Sequence, residues 1–290
     1  MRTNLLLAAA ALAAVLSTQA ANATSCTDTR ADLNLTGGAD VSLLSAGATN
    51  TFTATGGRDV IVTQVSPQST GTGVIDPFLR VQRANSPCVA GFNTGLNAGG
   101  TLDDIAGTWT HALQTSSLTT INIGGTDYVQ FLLDINQTGA DPLLSLEAFR
   151  LFSFGDGNLN GDAGLAQLFA GGAADPVQFF NMDDGANRRL LMDFSLNSGS
   201  GSGDVLFSIN ASLFQNAGPF IYLFSRFGAA GTAYENNDGF EEWALVNNAC
   251  PLAGCGPREV PEPGSLALLG MGLLGLAAVR RRKLGATEQG

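Results

Sequence analysis

The sequence predicts a mainly β protein, a two-layer antiparallel β-sandwich of the jelly-roll kind. Short apolar runs alternate with segments rich in Gly, Thr, Asn and Ser, which is the pattern of strands separated by tight turns. Several runs alternate apolar and polar residues, as expected for antiparallel sheets that bury one face and expose the other. The chain contains 17 Phe, enough aromatic side chains to fill the space between two sheets.

Strands are predicted at residues 59–65, 143–154, 204–209 and 220–227. Residues 119–135 are predicted to form a hairpin that turns at Gly124-Gly125. The cleanest alternation predicts a further strand, with apolar residues at Leu190, Met192, Phe194 and Leu196. Helix is expected only at 164–169, over one or two turns, while 237–246 fits a short helix or a final strand.

Residues 1–23 have the features of a secretory signal peptide. Arg2 precedes an apolar run at 5–16, and the segment ends on the small residues Ala20-Ala21-Asn22-Ala23. The run is too short to span a bilayer stably and has no amphipathic pattern. We expect cleavage after Ala23, with Ala20 as the alternative, and a single β domain over residues 24–258.

Residues 259–290 form a second distinctive segment. An apolar stretch at 264–279 is followed by a basic cluster at 280–283, which the positive-inside rule keeps in the cytoplasm. The stretch therefore predicts a short apolar helix that anchors the chain transiently in the membrane. The predicted sorting motif is Val260, Pro261, Glu262 and Pro263. Each proline fixes its own backbone and favours extended structure in the residue before it, and a protease binds an extended segment.

This order of features resembles the PEP-CTERM sorting signal. The resemblance implies processing by an exosortase, a membrane-embedded protease, during export to the cell envelope, cell surface or extracellular matrix. Phrases within the body are also similar to those of uncharacterised PEP-CTERM proteins, at residues 69–80, 131–136, 198–204 and 238–243. They imply a shared location and fold, and they carry over no catalytic residue.

The predicted exported part is strongly acidic. Residues 24–262 contain nine Arg, no Lys and 24 Asp plus Glu, a net charge of −15. This charge repels nucleic acid and anionic lipid, so no nucleic-acid partner is expected.

All four cysteines fall in the predicted domain, where the exported compartment permits disulfides. Four cysteines allow three pairings, and sequence alone does not choose among them. We expect one disulfide between Cys250 and Cys255, across a tight loop, and another between Cys26 and Cys88. The alternative is a metal site, which a chain with one His and no Cys-x-x-Cys supports poorly.

The sequence favours a protein without enzymatic activity. Ser-His and Cys-His schemes would depend on His111, the only His, and no Gly-x-Ser-x-Gly elbow is present. Glycoside hydrolysis needs only two placed acids, for which the candidates are Glu147, Asp134, Glu241 and Glu242. However, Glu241-Glu242 is more typical of a solvated face, and Asp134 of a strand end that bonds backbone amides.

Calcium is the candidate cofactor. Residues 156–162 place oxygen ligands at alternate positions with Gly at the sixth, which resembles the opening of an EF-hand-type loop. The predicted ligands are Asp156, Asn158, Asn160 and Asp162. The twelfth position is Gln167 rather than the usual bidentate Glu, and an acidic turn at 183–187 is a candidate source of the missing charge. The alternative is an Asx-rich turn that bonds its own backbone.

The sequence thus predicts an exported surface or matrix protein with a structural or adhesive role. The alternative function is a carbohydrate-binding module for matrix polysaccharide, calcium-dependent if the loop holds an ion. Such a module would use exposed aromatic residues such as Trp109 or Trp243. A third interpretation is an acid-catalysed polysaccharide hydrolase.

Overall fold

The computed structural model describes residues 39–54, 57–65, 77–96, 102–103, 107–170, 176–198, 203–237 and 239–246. The chain divides into two compact units, Met1–Pro251 and Leu252–Gly290, and every described residue lies in the first. The predicted signal peptide, apolar C-terminal helix and sorting tail lie outside the described residues. Within the described ranges, no helix is both long and apolar enough to cross a membrane.

The described chain is mainly β, as predicted, and contains two sheets and one short α-helix. Its elements are β1 (Ala39–Ser42), β2 (Thr49–Ala54), β3 (Arg58–Gln64), β4 (Pro77–Gln82), β5 (Val89–Phe92), β6 (Leu113–Gln114), β7 (Thr120–Ile123), β8 (Thr126–Asp134), β9 (Leu143–Phe154), α1 (Gly161–Phe169), β10 (Val177–Asn181), β11 (Arg188–Asp193), β12 (Val205–Asn210), β13 (Phe220–Phe227) and β14 (Phe240–Leu245).

Each sheet has seven strands. Sheet A has the order β1-β11-β9-β13-β5, with β10 also beside β9 and β6 beside β13. Sheet B has the order β2-β3-β12-β8-β14-β4, with β7 also beside β8. The pairing of β1 with β11 is parallel, so the prediction of purely antiparallel sheets was wrong there. No hairpin joins these two strands, and the long connection between them allows a parallel pairing.

The two sheets pack face to face through a shared apolar core. The ring of Phe149 on β9 lies 4.7 Å from that of Phe207 on β12 and 5.0 Å from that of Trp243 on β14, measured between centroids. These contacts join sheet A to sheet B, and all three side chains are at most 1 % exposed. The jelly-roll connectivity stays a prediction.

Helix α1 covers the outer face of sheet A. Leu165 and Leu168 of the helix pack in one buried cluster with Phe152 on β9 and Phe224 on β13. Strand β9 is therefore buried on both faces. A bulge at Glu147 shifts its register, since Leu146 pairs with Phe227 and Ala148 with Arg226. The bulge changes which residues face the core, from Leu144 and Leu146 to Phe149 and Leu151.

The hairpin at Gly124-Gly125 is confirmed, with positive φ angles of 60° and 90° at the two glycines. Residues 143–154 and 220–227 are the strands β9 and β13, and 237–246 contains a strand rather than a helix. The strand predicted to reach Leu196 was wrong beyond Asp193. The Asp193 carboxylate accepts the backbone N–H of Ser195 at 2.8 Å, which begins a short 3₁₀ turn instead.

Candidate functional site

A row of charged side chains crosses one face of sheet B. In the strand register, Glu242 on β14 lies opposite both Asp134 on β8 and Arg80 on β4. Asp204 directly precedes Val205, which pairs with the neighbour of Asp134 in β8. Because paired residues point to the same face, three carboxyl groups line up with one guanidinium. Each of the three acids is at most 3 % exposed.

The guanidinium of Arg80 pairs with Glu242 at the end of the row. Its Nε donates to Glu242 Oε1 at 2.7 Å, and Nη2 lies 2.5 Å from the same oxygen. Burial raises the pKa of Glu242, whereas its hydrogen bond and charge contact with Arg80 lower it.

Asp204 and Glu241 hold the chain where it leaves β8. Asp204 Oδ2 accepts the N–H of Ile135 at 2.8 Å, and Glu241 Oε2 accepts the N–H of Asn136 at 3.0 Å. Burial is the main cause that raises the pKa of Asp204 to about 8; the charge and side-chain hydrogen bond of Asp134 act in the same direction, and the N–H of Ile135 acts against them. Burial also raises the pKa of Glu241 well above its ordinary value, with added repulsion from Asp134 and Asp204. Asp204 therefore carries a proton near neutral pH.

The prediction that Glu241-Glu242 forms a solvated face was wrong, because the two side chains are 0 % and 3 % exposed. Strand β14 lies between β8 and β4 rather than at a sheet edge, and its residues 241–244 are buried on both faces. Asp134 is also fully buried, and the backbone N–H groups of the two residues after it donate to Asp204 and Glu241. Glu147 is 5 % exposed, so none of the four candidate acids presents its carboxyl group to solvent.

Trp109 is an exposed aromatic residue held in a fixed orientation. It lies in the turn where Gly107 bridges to Thr110, and 41 % of its surface is exposed. The Arg80 guanidinium lies 4.2 Å from the centroid of its ring and 4.2 Å from that of Phe240. Since Glu242 holds the same guanidinium, the indole ring rests on an ordered cation.

Trp243 does not act as an exposed aromatic, contrary to the sequence-based prediction. It is fully buried between the sheets, and its Nε1 donates to Ser225 Oγ at 3.0 Å. His111 is exposed, with Nδ1 3.0 Å from the carbonyl oxygen of its neighbour Ala112.

All four predicted calcium ligands are exposed; Asp156, Asn158 and Asn160 lie in the loop before α1, and Asp162 lies in its first turn. Asp156 Oδ1 accepts the backbone N–H of Asn158 at 2.9 Å, which is an Asx turn. In the second acidic turn, Asp183 accepts the N–H of Arg188 at 3.0 Å. Among the described residues, no group of three or more His, Cys, Asp or Glu is arranged to hold a metal. Calcium binding therefore stays a prediction.

Cys88 is fully buried and is disulfide-bonded. Cys26, Cys250 and Cys255 lie outside the described residues, so both predicted pairings stay predictions. Asp204 and Arg80 were not predicted as members of the row. The alternation of Leu79 and Val81 with Arg80 and Gln82 in β4 is the signal that would have placed Arg80 on a strand.

The family model of the PEP-CTERM protein-sorting motif matches residues 259–283. The chain therefore carries this motif where the sequence analysis placed it, and the motif implies an exported, exosortase-processed protein sorted to the cell envelope. The matched residues do not extend into the β body. No curated protein and no solved structure matches the chain.

Proposed function

We propose that this exported exosortase substrate is a non-enzymatic surface or matrix protein, and that its β body has a structural or adhesive role. The observation that carries the proposal is the burial of the candidate acids. Asp134, Glu147, Glu241 and Glu242 are at most 5 % exposed, whereas a glycoside hydrolase must present two carboxyl groups to its substrate.

The bonds of these acids support the same role. Glu241 accepts the backbone N–H of Asn136, and Glu242 forms an ion pair with Arg80 on the next strand. Such bonds tie β14 to the end of β8 and to β4. The acids thus hold strands of sheet B together. A β domain with such cross-strand bonds suits a protein that must stay folded outside the cell.

Carbohydrate binding is the second candidate, and Trp109 is the observation that favours it. Aromatic rings bind the apolar faces of sugars, and this ring is exposed, backed by Arg80 and fixed in a turn. In this form of the proposal, the protein adheres to matrix polysaccharide through stacking on Trp109.

The test uses the secreted mature protein and the secreted polysaccharide of the producing cells. We expect the protein to sediment with the polysaccharide without releasing new reducing ends. Trp109→Ala should weaken this association about three- to tenfold if the ring stacks on sugars. Leu96→Ala is the matched control, because Leu96 is also a large exposed apolar residue, at 36 %. Reducing ends that appear with the parent protein and not with Glu242→Gln would make it a hydrolase.

A further inference from the structure

A cavity of about 220 Å³ opens where β10 of sheet A meets the adjoining ends of β2 and β3 of sheet B. Its floor is apolar, since Phe180 is 3 % and Leu213 8 % exposed. Its rim is polar and includes the side chains of Arg58, Gln178, Asn181 and Asp184. The packing of the two sheets creates this cavity, and no local sequence pattern predicts it.

A β-bulge gives the cavity an aromatic wall. In the pairing of β10 with β9, Gln178 lies opposite Phe152 and Phe180 opposite Leu151, so Phe179 is the extra residue. Bulges redirect side chains and often occur beside binding sites. The ring of Phe179 packs edge-on against that of Phe214, with centroids 4.9 Å apart. The wall is therefore held in place before any ligand arrives.

Three hydrogen-bond donors on the rim are not used within the described chain. Arg58 is exposed and makes none of the ion pairs formed by Arg80, Arg83 and Arg189. The side chain of Gln178 likewise has no hydrogen bond to a described residue. Asn181 Oδ1 accepts the N–H of Asp183 at 3.1 Å, which orients the amide and leaves its Nδ2 without a partner among these residues.

We propose that this cavity binds a single neutral sugar unit of a glycan. Directed donors beside an aromatic wall are the groups that recognise a ring bearing hydroxyl groups. The volume suits one sugar ring, since pockets for drug-sized ligands measure about 300 to 1,000 Å³. The rim carries one cation and one carboxylate, and residues 24–262 carry a net charge of −15, so an anionic chain is disfavoured.

This site rests on the proposed adhesive function and adds a second contact to it. The cavity adjoins β2 and β3 at one edge of sheet B, whereas Trp109 contacts Arg80 on β4 at the other edge. Two weak contacts at separate edges would strengthen adhesion to one polysaccharide by multivalency.

Two substitutions remove donors while keeping the fold. Asn181→Asp keeps an oxygen for the N–H of Asp183 and loses the Nδ2 donor, and Arg58→Met removes the guanidinium donors from an exposed side chain. Each should raise the Kd for a bound neutral oligosaccharide about tenfold, the effect of one hydrogen bond in a polar site. Gln114→Glu is the control, because it alters an exposed side chain outside this cavity and should leave the Kd unchanged.

The probes are soluble oligomers of glucose, mannose, galactose and N-acetylglucosamine, compared with oligomers of a uronic acid. Binding is measured on the secreted mature protein by NMR, where the amide signals of residues 178–181 report the cavity. Fluorescence reports the other site, because Trp109 is exposed and the second tryptophan, Trp243, is buried.

Shifts at 178–181 with a neutral oligomer, weakened by both substitutions, would support the site. Neutral oligomers that change only the fluorescence would overturn the cavity proposal and leave glycan adhesion standing. Preference of the cavity for uronic acid oligomers would overturn the neutral class. If no oligomer binds while the protein still sediments with the polysaccharide, the cavity proposal fails and the adhesive function stands. If the protein neither binds an oligomer nor sediments with the polysaccharide, both proposals fail.

Discussion

The buried carboxyl group of Asp204 should make the stability of the fold depend on pH. Its pKa is raised from 3.8 to about 8, so between these values the folded protein holds a proton that the unfolded chain releases. The stability due to this proton is fully present below about pH 4 and is lost as pH rises through 8. Across this window, the free energy of unfolding should fall by about 1.4 kcal/mol for each pH unit.

Asp204→Asn should remove this contribution. The amide oxygen can accept the N–H of Ile135, as Oδ2 does at 2.8 Å, and the amide nitrogen can donate to Asp134. At pH 4 the variant and the parent protein should differ by less than about 1 kcal/mol. At pH 7.5 the variant should be more stable by about 2 to 4 kcal/mol, below the limit of about 5 kcal/mol for an isolated group that cannot relax.

The assay is urea unfolding of the secreted mature protein at pH 4, 6 and 7.5. Asp59→Asn is the control, because Asp59 lies exposed on β3 of the same sheet and should leave the pH profile unchanged. If the difference between Asp204→Asn and the parent is the same at all three pH values, Asp204 does not titrate in this window and the reasoning is wrong.

Three further predictions concern the sorting segment, the cysteines and the acidic loop. Changing residues 261–263 to Ala-Ala-Ala should leave the protein in the membrane fraction, since the extended recognition segment is lost; normal release would contradict the sorting role. Thiol titration of the denatured, unreduced protein should find no free thiol, because four cysteines in an oxidising compartment pair, and two reactive thiols would reverse this view. Several millimolar calcium should raise the unfolding free energy by about 1 to 3 kcal/mol if the site has a Kd of roughly 0.1 to 1 mM. The double substitution Asp156→Ala and Asp162→Ala should abolish that response in thermal unfolding. If calcium does not shift the thermal unfolding curve of the parent protein, the acidic loop is only a turn and does not bind calcium.

Local patterns predicted the long strands well. The run 143–154 is apolar enough to be recognised, and the structure makes it β9 with the same bounds. Patterns failed where one side chain outweighed them. The alternation of apolar and polar residues continues to residue 196 in the sequence. However, the Asp193 carboxylate accepts a hydrogen bond from the N–H of Ser195, and the chain turns there. The parallel pairing of β1 was hidden because its partner lies about 150 residues away in the sequence.

The charged row could not be predicted, because burial of a polar residue depends on strand order. Glu241 and Glu242 are charged neighbours that ordinarily belong on a surface. Here both are buried on β14, which lies between β8 and β4, and local sequence does not encode that placement. The cavity at Arg58 has the same origin, since its residues come from two sheets and lie more than 100 positions apart.

The strand order also sets a sequence of events in time. Strands β1, β3 and β4 pair with β11, β12 and β14. Strands near the N-terminus therefore form these pairs only after the C-terminal strands have been delivered. An exported chain that crosses the membrane from its N-terminus would present unpaired edges through most of its passage. Sheet B is complete only when Leu245 has emerged, shortly before the sorting motif that begins at residue 259. The last strand of the second sheet thus emerges just before the sorting motif, and a chain that folds slowly would still be incompletely folded when the exosortase meets the motif.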